Sequence, residues 1–203
     1  LVALIIFVGG LTRLTDSGLS ITRWDIISGI FPPLSLSGWE KSFALYKQIP
    51  EYKLFNSSMT LEQFKTIYWW EYTHRLLGRI VGLFYLIPLF YFTFKKVIKK
   101  NSLISLYFIL FLIIFQGLVG WYMVKSGLTE GTDVSHYRLS LHLTLAFIIF
   151  ILLIWNYFKY KSKQIFIHNK KLPSYLPFFF IFCLLLQISI GALVSGLDAG
   201  QIY

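Results

Sequence analysis

Long apolar runs, broken by short basic stretches and one long mixed segment, set the pattern of this chain. The runs at 75–94, 103–124, 139–158 and 176–197 each approach the roughly 20 residues a helix needs to cross a hydrocarbon core. Each predicts a membrane-spanning helix. The run at 1–10 is about half that length and predicts a cut first span, giving five helices in all. Pro88 falls inside the second span, where its missing amide donor predicts a kink that neighbouring groups must satisfy.

Between the first two spans lies a mixed segment, 13–73, long enough to carry structure of its own. Ser37 with Glu40 and Thr60 with Gln63 both fit the Ser/Thr-x-x-Glu/Gln box that opens a helix, and the second helix would run unbroken through Trp69 into the membrane. Trp39, Phe43 and Tyr46 recur at helical spacing, which fits either an amphipathic helix lying on the bilayer or an ordinary packed loop helix.

Composition agrees with the pattern: of 203 residues 56% are hydrophobic and only 14% charged, too much apolar surface for one soluble core. The formal charge of +10 would suggest nucleic acid if it lay on an amphipathic surface. Instead Lys95, Lys96, Lys99 and Lys100 crowd one short loop and Lys159, Lys161, Lys163, Lys170 and Lys171 another, which predicts that both face the cytoplasm or matrix, with no nucleic-acid partner. All nine acids then fall on the opposite side, with segment 13–73. The lone Cys183 cannot form an intrachain disulfide.

An internal echo links the ends of the first and fifth spans: Gly9-Gly10-Leu11-Thr12 with Asp16-Ser17-Gly18, and Gly191-Ala192-Leu193-Val194 with Asp198-Ala199-Gly200. It implies a duplicated four-helix unit. The expected fold is therefore an all-α integral membrane protein: a transmembrane four-helix bundle over 1–158, a basic inner linker over 159–172, and over 173–203 the first helix of a second, pseudo-symmetric bundle.

Candidate chemistry rests on two of the four histidines. His168 lies in an inner loop and His136 at the outer mouth of the fourth span, both expected to be surface or interfacial. His74 begins the second span and His142 lies one turn into the fourth; both helices run inward, so the imidazoles reach similar depths. Such a pair can ligate haem iron from both axial sides. Gly78 and Gly82 follow His74 on the same face and would leave a flat slot for a porphyrin; equally, they would let two helices pack closely. Glu71, one turn before His74, suits orientation of the imidazole, proton exchange or charge stabilisation, or a simple ion pair with Arg75 or Arg79. Those arginines match haem propionates, or else snorkel to the interface. No zinc spacing, phosphate loop or nucleophile elbow occurs, so any chemistry comes from a cofactor.

Three stretches carry a family resemblance: Gly9 to Ser20, Gly29-Ile30-Phe31-Pro32-Pro33-Leu34, and Trp69-Trp70-Glu71-Tyr72-Thr73-His74-Arg75-Leu76-Leu77-Gly78-Arg79. With Tyr137-Arg138-Leu139 and His142-Leu143, the chain resembles haem A synthases of the mitochondrial and alphaproteobacterial type along essentially its whole length. The resemblance implies eight helices in two similar bundles, each with a histidine pair. One pair holds the substrate haem O and the other the cofactor haem B. By motif His74 and His142 form the N-terminal pair, binding haem O, and Glu71 is the catalytic carboxylate. The implied reaction oxidises a methyl group of haem O to the formyl group of haem A with molecular oxygen and an unidentified electron donor. Haem O synthase and cytochrome oxidase assembly factors are the implied partners. The implied place is the bacterial cytoplasmic or mitochondrial inner membrane, with segment 13–73 on the periplasmic or intermembrane-space side. The haem B pair would lie beyond Tyr203, so this segment alone is expected to be inactive. His136 stands where relatives often have Pro, and segment 13–73 lacks the cysteine pair of some bacterial relatives. A bis-histidine membrane cytochrome carrying electrons, or a haem chaperone, is the alternative reading.

Overall fold

The computed structural model describes residues 1–24, 28–161, 173 and 175–201, and among them every regular element is helical. Seven α-helices follow in order: α1 Val2–Leu14, α2 Leu36–Tyr46, α3 Pro50–Leu54, α4 Leu61–Phe94, α5 Lys100–Glu130, α6 His136–Lys161 and α7 Leu176–Gly196. Helices α4, α5, α6 and α7 are long and apolar enough to cross a membrane, and α1 is a shorter apolar helix. The chain is a multi-pass helical membrane protein. His168 and most of the basic linker 159–172 lie outside the described residues.

The chain divides into two compact units, one formed by 1–85 with 117–135 and one by 86–116 with 136–203. In the first, α4 opens with the reciprocal box expected from sequence: the Thr60 amide donates to Gln63 Oε1 at 2.8 Å, and the Gln63 amide to Thr60 Oγ1 at 3.3 Å. At 34 residues α4 is about 51 Å long, well beyond a hydrocarbon core of about 30 Å. Its first turns, ahead of the apolar run that begins at Arg75, form a post on which α2 packs. Phe43 and Tyr46 of α2 stack against Phe64 at 5.0 and 5.2 Å between ring centroids, and Trp39 meets Tyr68 at 5.0 Å. Tyr46 and Phe64 are completely buried there, with Leu19, Ile49, Tyr68 and Val134 around them. Of the two readings of this aromatic face, the packed loop helix is the one observed.

The box expected at Ser37 and Glu40 does not form. The N-cap is Ser35, whose Oγ accepts from the Gly38 amide at 3.1 Å. The helix begins at Leu36, so Ser37 already sits in the first turn and its hydroxyl meets Ser35 Oγ instead.

In the second unit α6 and α7 pack along small and hydroxylated residues. Ser140 Oγ donates to the Ser189 carbonyl at 2.9 Å, and Thr144 Oγ1 lies 2.7 Å from Ser189 Oγ. Gly196 closes the seam: a Cβ there would stand 2.8 Å from His136 Cα. Ser105 Oγ donates to Asn156 Oδ1 at 3.0 Å, tying α5 to α6 inside an apolar span.

The echo between the first and fifth spans extends to backbone geometry. Thr15 and Leu197 end their helices at φ −104°, ψ 10° and φ −96°, ψ 0°. Each is followed by an aspartate in the left-handed region, Asp16 at φ 47° and Asp198 at φ 49°. The Asp16 and Asp198 amides donate to Arg13 and Ser195 carbonyls, both at 3.2 Å. Each of these pairs is separated by 182 positions (197 − 15, 198 − 16, 195 − 13). Aspartate tolerates this conformation because its short side chain can bond locally.

Candidate functional site

The first unit holds most of the expected residues along α4. His74 faces α1, where Gly9 gives its imidazole room: a Cβ on Gly9 would lie 3.0 Å from His74 Nε2 and 3.3 Å from Cδ2. Below it, a Cβ on Gly78 would meet Ile5 Cδ1 at an ordinary 3.6 Å, and one on Gly82 would meet nothing within 4 Å. The face beneath His74 is thus covered by Ile5 at Gly78 and open at Gly82.

Glu71 is 3% exposed and its two oxygens are fully engaged. Oε1 accepts from Arg75 Nε at 3.0 Å and from Nη2 at 2.5 Å. Oε2 accepts from Ser20 Oγ at 2.7 Å and the Ile21 amide at 2.8 Å. A carboxylate has about four acceptor positions, and four donors fill them. Arg75 in turn donates to the Ile21 carbonyl at 3.0 Å and lies over the Trp24 ring at 4.7 Å. Of the two arginines within reach, Glu71 pairs with Arg75; Arg79, one turn further in, makes no ion pair among the described residues. The 20–24 segment is thus bound to α4 through Glu71 and Arg75.

His142 belongs to the second unit, one turn and a half into α6. Gln116 of α5 reaches it: Gln116 Nε2 donates to the His142 carbonyl at 3.0 Å and stands 3.4 Å from His142 Nε2. Gln116 Oε1 is buried without a hydrogen-bond partner in the structure. Sequence reading passed over Gln116, although a lone amide in the 103–124 apolar run is itself a signal. Ser20 entered only as part of the 9–20 stretch; its tie to Glu71 spans 51 positions and leaves no local pattern. His136 packs beside Tyr137, ring centroids 4.1 Å apart, at the start of α6.

The chain is similar to known proteins along its whole length. Residues 1–203 match the family described as cytochrome oxidase assembly protein. The "Heme A synthase" of Pelagibacter ubique (strain HTCC1062) is 50% identical over 206 residues, covering 100% of this chain and 60% of that protein. The "Heme A synthase" of Rickettsia bellii (strain OSU 85-389) is 49% identical, covering 100% and 61%, and that of Ehrlichia canis (strain Jake) 48% identical, covering 100% and 58%. The chain therefore spans about three-fifths of the length of these relatives. No solved structure matches it. Matched over residues 1–203 by the family and along its whole length by these relatives, the chain belongs to the cytochrome oxidase assembly protein family.

Proposed function

We propose that this chain is the haem O-binding half of a haem A synthase, with His74 and His142 as the axial ligands of the substrate iron. The observation that carries the reading is the seat of His74, with a glycine against its ring and an open face at Gly82 below. Haem B, the cofactor, belongs on this reading to the part of the relatives that the chain does not cover. When bound, the haems supply the oxygen-dependent oxidation of the methyl group to formyl, with molecular oxygen and electrons from a donor.

The protein's own residues position the substrate. His74 and His142 would hold the iron, and the plate would lie along the face of Gly78 and Gly82, which is open at Gly82. Gln116 holds the backbone of α6 at His142 and approaches its Nε2. Arg75 and Arg79 supply positive charge for the propionates, matched by guanidinium geometry. Glu71 is the proposed catalytic carboxylate. With four donors already on its oxygens it acts as a fixed negative charge near the ligand, because taking a proton would cost it a hydrogen bond. Segment 13–73 lies on this reading on the periplasmic or intermembrane-space side, and the organisation is one four-helix bundle over 1–158 followed by the start of a second.

The test uses the full-length protein. H74A and H142A should each abolish the low-spin optical signature of one haem, and E71Q should abolish haem A in pigment extracted and separated by chromatography. Spectra in H74A and H142A identical to the parent's would reduce both imidazoles to structural groups.

A further inference from the structure

A cavity of about 240 Å³ opens in the first unit between the 21–24 segment, α4 and α5. Three cations line it, Arg23, Arg75 and Lys125, together with the two indoles Trp24 and Trp121. Arg75 lies over Trp24 and Lys125 stands 4.9 Å from the Trp121 ring centroid. Among the described residues, the only carboxylate bound to any of the three is Glu71, and its oxygens are taken up by Arg75, Ser20 and Ile21. Arg23 and Lys125 make no ion pair there. Among the described residues, two of the three positive charges lining the cavity are without an ion pair, and Trp24 and Trp121 give it aromatic walls. It is smaller than the roughly 300–1,000 Å³ of pockets that enclose a whole small molecule, so it fits the charged end of a larger one.

We infer that this cavity binds the paired carboxylates at the rim of an iron porphyrin, with Arg23 and Lys125 as anion-binding residues alongside Arg75. The inference rests on the proposed ligation of the substrate iron by His74. Arg75 immediately follows His74, about 1.5 Å along the axis of α4, so the cavity lies near the depth of His74 on the side of the 21–24 segment, within reach of the edge of a plate about 10 Å across. Two carboxylates would match the two cations that make no ion pair among the described residues, and a guanidinium holds a carboxylate through paired charge-assisted hydrogen bonds. Glu71 positions the site: it aims Arg75 and pins the Ile21 backbone that leads into Thr22, Arg23 and Trp24.

The experiment titrates haem-free full-length protein in detergent with ferric haem and with its propionate dimethyl ester, following the Soret shift. The parent should bind the free diacid about tenfold more tightly than the diester, with H74A losing the low-spin shift for both. The double variant R23Q/K125Q should bind the diacid about tenfold more weakly while keeping the parent's affinity for the diester, which also shows that it is folded. A preference for the diacid that survives in R23Q/K125Q overturns the assignment, and so does a parent that ignores esterification while still giving a His74-dependent shift. If neither compound produces that shift in the parent, the histidine reading falls and the cavity assignment with it. A further arm adds phosphatidylglycerol to the detergent. Loss of diacid preference there, with diester binding unchanged, supports a shared anion site. Lipid binding that the parent shows and R23Q/K125Q loses, with the parent's preference for the diacid unchanged by the lipid, marks a lipid headgroup site and overturns the proposal.

Discussion

Glu71 and Glu51 are both buried carboxylates in the first unit, and their partners give them different behaviour. Glu71 has a guanidinium and two further donors, so E71Q removes a buried counter-charge from Arg75 and leaves an amide that cannot accept all four bonds. A loss of about 2–4 kcal/mol follows, read as a lower unfolding temperature of the purified protein. E71D, which keeps the charge, should recover part of it. Glu51, in α3, has only neutral partners: the Tyr46 hydroxyl donates to its Oε1 at 2.9 Å and Asn56 Nδ2 at 3.2 Å. Burial pushes its carboxyl up to about 7, against the Tyr46 hydrogen bond, with repulsion from Asp133, Glu71 and Asp16 adding to the rise. Burial and the neighbouring Glu51 charge raise the Tyr46 phenol as well. Because the folded state holds the Glu51 proton more tightly than the unfolded one, its contribution to stability is full below pH 4.5 and is lost as pH rises to about 7. The loss is on the order of 3 kcal/mol at most. Melting temperatures of the parent should fall relative to E51Q across pH 4.5–7 and run parallel above it; parallel curves throughout would place an ordinary carboxylate at this position.

At the scale of elements, helix ends and glycines decide what can touch. A Cβ on Gly196 would meet His136 at 2.7 and 2.8 Å, against Cβ and backbone Cα, so G196A must part α6 from α7 at a cost of about 1–3 kcal/mol. Gly10 has nothing within 4 Å, so G10A should be neutral or stabilise α1 by up to about 1 kcal/mol. Melting curves of the two variants, expected to move in opposite directions, measure the contrast. The membrane helices were legible in sequence because a run of about 20 apolar residues has few alternatives. The start of α4 was legible because Thr60 and Gln63 answer each other over three residues. The start of α2 was not, since Ser35 and Ser37 both have the chemistry of a cap and only the path of the chain chooses between them. The pairing of Glu71 with Arg75 follows from i,i+4 spacing, whereas the tie to Ser20 depends on tertiary folding that no local pattern encodes.

For the whole molecule the question is which way the helices are threaded, and charge density argues it. Lys95, Lys96, Lys99 and Lys100 fall in and beside the short turn joining α4 to α5, while the post of α4 and the aromatic cluster on α2 and α3 carry both signs of charge. Raw counts of lysine and arginine do not separate the sides, nine against ten, because orientation responds to basic residues in short loops next to spans and not to totals over long segments. The 182-position echo between the endings of α1 and α7 adds a second argument, since equivalent positions of a duplicated unit would end at the same face when an even number of crossings separates them. If α1 and the four long apolar helices α4 to α7 all cross, four further crossings separate the two endings, and the threading predicts Asp16 and Asp198 on one side and the 95–100 turn on the other. The expected outcome is specific. In a variant with Cys183 replaced by Ala, single cysteines at Lys47, Asp16 or Asp198 should react with a membrane-impermeant maleimide in intact cells. A cysteine at Val97 should react only after the membrane is opened. Labelling of Val97 in intact cells would reverse the threading, and Asp16 and Asp198 on opposite sides would break the duplication.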